Sequence, residues 1–266
     1  MPTRTSYEHG TFSWLELGTT DSESAKKFYG GLFGWTFDDM PAGPGMTAAS
    51  TYSMCKMGTE TVAALYKMGA EMKSVPSHWA SYITVTDVDA TAKKAATNGG
   101  KVVKEPFDVM DVGRMAVIED PTGATFCLWQ AKKHIGATLT GEPGSMAWNE
   151  LFTRNVDRAG KFYIDTIGWT TESVNMGKMG TYTLFNLAND KKNNKGGMMP
   201  IAPDMKSVPP HWLAYIAVAD CDASAKKVTS LGGKVMMDPM DIPNIGRFAI
   251  VQDPQGATFA LYKGAH

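Results

Sequence analysis

Two glutamates follow tryptophans at the same short spacing, in Trp14-Leu15-Glu16 and in Trp148-Asn149-Glu150. Residues two apart on a strand point the same way, so each carboxylate shares a face with an indole. If that face lines a concavity, the carboxyl is desolvated and its pKa rises. It could then take a proton from a substrate or anchor a polar group. The plainer alternative is an internal ion pair that serves structure. His78 and His211 stand in Ser77-His78-Trp79 and Pro210-His211-Trp212, each at the entry to a predicted strand. They are candidate donors or acid/base groups at a cavity edge. They could equally satisfy loop backbone groups that the neighbouring prolines hold in place. Arg114 and Arg247 follow glycines in Gly113-Arg114-Met115 and Gly246-Arg247-Phe248. Their guanidinium groups suit an acidic ligand group, the two glutamates, or solvent. Glu16 and Glu150 are therefore the candidate bases, and Trp14, Trp148, His78, His211, Arg114 and Arg247 the candidate ligand contacts.

The elements that hold these residues occur twice. Ser74-Val75-Pro76-Ser77-His78-Trp79 returns as Ser207-Val208-Pro209-Pro210-His211-Trp212, and the match runs on without a gap to Gln130 and Lys263. About 30 of 57 positions are identical, a period far too long for a solenoid. The earlier parts of the halves match as well: Lys27-Phe28-Tyr29 with Lys161-Phe162-Tyr163, and Gly34-Trp35-Thr36 with Gly168-Trp169-Thr170. A fainter echo lies inside the first half, where Thr20-Asp21 and Thr86-Asp87 each lead into an Ala-Lys-Lys stretch. Within one unit, residues 12–19 read as a strand. A capping-box pattern, Thr20-x-x-Glu23, then opens a helix with Ala25, Phe28, Tyr29 and Leu32 on one side, and Gly34 ends it. Strands are expected over 50–57 and 61–67 around Gly58. The second unit has a strand at 79–86, a helix over 88–98 and strands at 101–104, 112–119 and 124–130, with Asp120-Pro121-Thr122-Gly123 as a tight turn. Lys191-Lys192-Asn193-Asn194-Lys195 reads as a polar loop. The chain divides into 1–133, a Gly/Pro-containing linker over 134–146, and 147–266.

The totals narrow the function classes. The net charge of −1 over 266 residues gives no electrostatic case for nucleic acid or an anionic membrane surface. No apolar run reaches the length of a membrane span, and no signal peptide is evident at the start. Cys55, Cys127 and Cys221 form no Cys-x-x-Cys pair, which suits reduced thiols in a cytoplasmic protein. Eighteen methionines serve either core packing or a pliable apolar pocket.

The order of Phe28-Tyr29, Leu32-Phe33-Gly34-Trp35 and the Asp-Pro-x-Gly turns at 120–123 and 253–256 resembles the vicinal-oxygen-chelate superfamily. That superfamily takes in glyoxalase I, bleomycin-resistance proteins and extradiol dioxygenases. Within it, the two-domain actinobacterial antigen branch, often labelled hydroxylase, is the most similar. The resemblance implies an α+β fold of four βαβββ units in two tandem domains, each domain enclosing a cavity. It also implies where a metal would sit: on opening strands at Trp14, Ala80, Trp148 and Leu213, and on last strands at Cys127 and Ala260. None but Cys127 is a usual ligand type, and a lone thiolate is a poor site for a hard ion. No metal and no other cofactor is expected. The expected partner is a small, partly hydrophobic molecule, bound by a monomer or homodimer. A glyoxalase- or dioxygenase-like enzyme with a divalent ion at a displaced site, or a metal-free isomerase- or cyclase-like enzyme with Glu16 or Glu150 as base, stands as the alternative. The halves differ at Leu15 against Asn149 and Asp21 against Asn155, which leaves room for one functional and one structural cavity.

Overall fold

The computed structural model describes residues 3–41, 51–177, 180–188 and 190–265, with no side chains for 191–193. The first unit is β1 (Thr11–Thr19), α1 (Ser22–Phe33), β2 (Thr36–Pro41), β3 (Thr51–Met57) and β4 (Glu60–Lys67). The second is β5 (His78–Thr84), α2 (Val88–Thr97), β6 (Lys101–Val109), β7 (Gly113–Glu119) and β8 (Thr125–Ala131). The third is β9 (Met146–Thr153), α3 (Val156–Ile167), β10 (Trp169–Asn175), β11 (Thr181–Leu187) and β12 (Asp190–Pro200). The fourth is β13 (His211–Ala217), α4 (Cys221–Ser230), β14 (Lys234–Ile242), β15 (Gly246–Gln252) and β16 (Thr258–Gly264). These are the four βαβββ units of an α+β chain with two tandem domains.

Several local expectations shift. The cap of α1 is Asp21, whose side chain accepts from the Ser24 N–H at 3.1 Å, and not Thr20 one residue earlier. Glu23 binds Lys26 instead. Asp87, Asn155 and Asp220 cap their helices in the same way, so the Asp21/Asn155 difference exchanges one good cap for another. Gly34 ends α1 in the left-handed region at φ 76°. The strand expected over 50–57 runs Thr51–Met57, residue 50 lying outside the described residues, and β2 adds a strand that no alternation announced. The stretch read as a polar loop over 191–195 belongs to β12, where Asn194 pairs with Asn186 across the ladder. Its polarity hid the strand because the backbone ladder forms there without an apolar alternation to announce it.

Each half forms one eight-stranded sheet, in the order β2-β3-β4-β1-β5-β8-β7-β6 and its repeat β10-β11-β12-β9-β13-β16-β15-β14. The opening strands of the two units lie antiparallel at the centre, with Trp14 opposite Tyr82 and Glu16 opposite Ala80. One face of each sheet carries the helices. Leu15 and Leu17 join Phe28, Tyr29 and Leu32 there, in a buried core that is continuous between the halves. The other face gathers Trp14, Tyr52, Ala64, Tyr82, Met115 and Trp129 from β1, β3, β4, β5, β7 and β8 into one cluster.

The halves join through their recurring motifs. Tyr29 on α1 donates to Asp253 Oδ2 at 3.0 Å and accepts from the Trp79 indole at 3.0 Å. Tyr163 on α3 repeats this with Asp120 and Trp212, at 3.0 and 2.8 Å. The other oxygen of each aspartate closes its own turn, accepting from the Thr122 and Ala124 N–H groups or from those of Gln255 and Ala257. The Leu15/Asn149 difference also lies here. Asn149, 2% exposed, accepts from the Ser81 hydroxyl of the other half at 2.6 Å. The counterparts in the repeat, Leu15 and Ala214, are both apolar and buried. This difference therefore distinguishes the two sides of the interface, not the two concavities.

Candidate functional site

Strand alternation puts Trp14 and Glu16 on the face away from the helices. Tyr52 on β3 donates to Glu16 Oε2 at 2.7 Å, and Tyr82 on β5 donates to Oε1 at 2.9 Å. A flat sheet would hold β3 and β1 about 10 Å apart across β4, so Tyr52 has to reach over that strand to meet the carboxylate. The Trp14 indole points at the Tyr52 oxygen at a longer 3.4 Å. An indole N–H only donates. The Tyr52 oxygen therefore accepts on that side and turns its own proton to Glu16. Burial pushes the Glu16 carboxyl above its ordinary range, and the two phenol hydrogen bonds pull part of the way back. Cys127 lies against the Tyr82 hydroxyl, and burial holds its thiol protonated far above neutrality.

The second concavity repeats this arrangement. Trp148 donates to Tyr182 at 2.9 Å, and Tyr215 donates to Glu150 Oε2 at 2.5 Å. Tyr182 lies close enough to Glu150 to draw its proton affinity down. Burial raises the Glu150 carboxyl too. Leu213, Phe248 and Ala260 surround the group. One difference matters for function. Glu150 is 5% exposed, whereas Glu16 is partly exposed.

The remaining predicted residues divide. Trp14 and Trp148 stand in the relays. His78 sits at the rim by Gly18, and His211 stacks on Phe152 with ring centres 5.3 Å apart. Each histidine commits Nδ1 to a loop carbonyl, that of Pro76 or Pro209, at 2.9 and 2.8 Å. Arg114 and Arg247 lie elsewhere. They alternate with the cluster residues Met115 and Phe248 and reach the helix side, where Asp89 and Asp222 take their guanidinium groups at 2.6–2.9 Å. Neither arginine partners a relay glutamate; both tie a strand to the N-terminal turn of a helix.

Sequence reasoning missed the tyrosines and one histidine. Tyr52 and Tyr82 lie 36 and 66 residues from Glu16, and no local period links them. His134 falls in the stretch read as linker. Residues 134–138 instead cross the end of the first sheet. His134 O accepts from the Trp129 indole at 2.9 Å, Ala137 N donates to Ser13 O, and Thr138 N donates to Thr61 O. Gly136 permits the crossing, because a Cβ there would meet Ser13 O at 2.3 Å. The His134 ring packs edge-on against Trp14 at 4.7 Å, with its Nε2 buried and unpaired. Burial drives its pKa down to about 4. No described segment crosses the second sheet in this way.

The positions at which the resemblance would place a metal do converge on these faces: Trp14, Ala80 and Cys127 on one, and Trp148, Leu213 and Ala260 on the other. The donors present do not fit a divalent ion. The first face offers one carboxylate already receiving two phenol protons and a thiol kept protonated. Among the described residues, no three His, Cys, Asp or Glu side chains come together in a way that could hold an ion.

A family model described as the Glyoxalase/Bleomycin resistance protein/Dioxygenase superfamily matches residues 11–128 and again 139–261. CFP32 of Mycobacterium tuberculosis, whose name carries the word glyoxylase, is 45% identical over 100% of this chain and 99% of that protein. The anthracycline biosynthesis protein DnrV of Streptomyces peucetius is 34% identical over 97% of this chain and 94% of its own. Among solved structures, a Mn(II)-bound glyoxalase from Novosphingobium aromaticivorans superposes with a TM-score of 0.66 at 16% identity. It covers 98% of this chain and 83% of its own, a likeness of fold.

Proposed function

This chain belongs to the glyoxalase/bleomycin resistance protein/dioxygenase superfamily, and from that premise we propose that it is a metal-independent member. In this reading it binds a small, partly hydrophobic molecule against the concave faces of its sheets. The observation that carries the reading is the donor set. Where metal-using members place imidazoles and carboxylates, each face here presents one glutamate at the end of a Trp–Tyr relay, among aromatic and aliphatic side chains. Such a surface binds by apolar burial with a few fixed polar contacts. The anthracycline biosynthesis name of the Streptomyces relative supports a polycyclic aromatic ligand. Three buried, unpaired thiols support a cytoplasmic setting. No described helix is long and apolar enough to cross a membrane.

One observation favours a second reading. A carboxylate whose pKa burial has raised is suited to take a proton from a weakly acidic substrate, so metal-free isomerase- or cyclase-like turnover with Glu16 as base fits the same site. Both readings require an organic occupant. Native mass spectrometry of the protein, incubated with the small-molecule fraction of its host cells, tests this. The expected result is an organic adduct that disappears on denaturation. A spectrum of the bare polypeptide alone contradicts both readings.

A further inference from the structure

We propose that the first concavity is a cation subsite, in which Glu16 is the counter-ion for a protonated amine on a small aromatic ligand. The inference rests on the binding reading above and adds the charge of the ligand.

The argument starts from the direction of the hydrogen bonds. The Trp14 indole fixes the Tyr52 oxygen as an acceptor on one side, so the Tyr52 proton goes to Glu16 Oε2, while Tyr82 supplies Oε1. Both oxygens thus receive protons, which stabilises the ionised carboxylate and offsets part, though not all, of the effect of burial. A protonated Glu16 would need an acceptor, and its two polar neighbours already serve as donors. Among the described residues, the anion nevertheless has no positive partner. The influences on its proton affinity are burial and two neutral phenols, with no cation among them.

The groups around it do not fill that role. Tyr52, Tyr66, Tyr82 and Cys127 are all held in their neutral forms by burial. His134, across Trp14, is kept neutral at ordinary pH with a pKa near 4. His78, at the rim by Gly18, is not among the groups that act on the Glu16 carboxyl.

The chain itself provides the contrast. Asp253 and Asp120 end Trp–Tyr relays of the same kind, but two backbone N–H groups of their own turns satisfy each of them as well. Those carboxylates are complete, whereas Glu16 is not. A largely buried anion without a counter-charge is an unmet electrostatic demand.

The surroundings specify the cation. Tyr52 and Tyr82 meet the carboxylate through their hydroxyls, and Trp14 and Trp129 belong to the same aromatic cluster; aromatic faces attract an ammonium group. A single carboxylate with no second and third ligand does not make a metal site. Glu150 shares the relay but is the less exposed of the two, at 5%, against a partly exposed Glu16.

The test uses two probes with the same ring system, at mildly alkaline pH: 9-aminoacridine, a cation, and acridine, which is neutral. Calorimetric titration of the full chain should show 9-aminoacridine binding tighter by about tenfold or more. Glu16→Gln, which keeps the shape and one of the two accepting oxygens but carries no charge, should abolish the preference for 9-aminoacridine over acridine. If that variant does not fold, Glu16→Asp, which withdraws the charge by one methylene, is read instead, and a partial loss is expected. Equal affinity of the two probes for the wild-type chain overturns the cation inference and leaves the binding reading standing. A preference that survives Glu16→Gln overturns it as well. Displacement of 9-aminoacridine by Mn2+ alone overturns it in favour of a metal. If neither probe binds, the binding reading fails and the inference fails with it.

Discussion

An indole can donate a hydrogen bond but not accept one, and this property sets the proton directions around each relay acid. In the concavities the relay ends on Glu16 and Glu150, whose burial raises both carboxyls. Their stability linkage follows from the sign of that shift. The folded chain holds the Glu16 proton more tightly than the unfolded chain does. Stability is therefore greatest below the ordinary value of 4.5 and declines as pH climbs through the raised folded value. Glu16→Gln, which has no charge to bury, should escape this decline. Thermal melts of the two proteins should coincide near pH 4.5 and diverge above it, with the variant melting higher. Parallel curves across the range would mean that the carboxyl is not buried as described. At this scale the sequence was partly legible. The two-residue spacing placed Trp14 and Glu16 on one face correctly. It could not supply Tyr52 and Tyr82, because their link to Glu16 is made by sheet pairing and not by local period. It could not fix the arginines either, since the face of Arg114 depends on which side of β7 carries the helices.

At the level of elements, the most recognisable motifs turn out to hold the halves together. The tyrosine of Phe-Tyr on α1 reaches the aspartate of the Asp-Pro-x-Gly turn in the other half, and α3 returns the contact. Tyr29→Phe deletes one hydroxyl and leaves both the Asp253 oxygen and the Trp79 indole without that partner in a buried setting. The expected loss is about 1–3 kcal/mol of unfolding free energy, read from urea denaturation. Tyr163→Phe should lose a similar amount. A negligible change in both would show that water replaces the hydroxyls and that the interface is looser than drawn. Element type was legible wherever a side-chain period existed, as in β1, α1 and α2. It failed at β2 and β12, short of apolar alternation, where the ladder to a neighbouring strand decides the structure.

On the scale of the whole molecule, duplication produced two sheets whose helix faces share one continuous core, with a separate cluster on the opposite face of each. The repeat was legible because its identities run without a gap from 74 to 130, and the four βαβββ units followed from it. The asymmetry was not legible. It resides in the segment 134–138, whose glycines read as linker but which crosses the end of the first sheet and brings His134 onto Trp14. The central claim is that neither face depends on a metal ion. Elemental analysis of protein purified without affinity tags or chelators, then dialysed, measures this directly. The account predicts Mn, Fe, Ni and Zn far below one equivalent per chain, with unchanged thermal stability after chelator treatment. A stoichiometric ion that survives dialysis, and whose removal lowers the melting temperature, would contradict it.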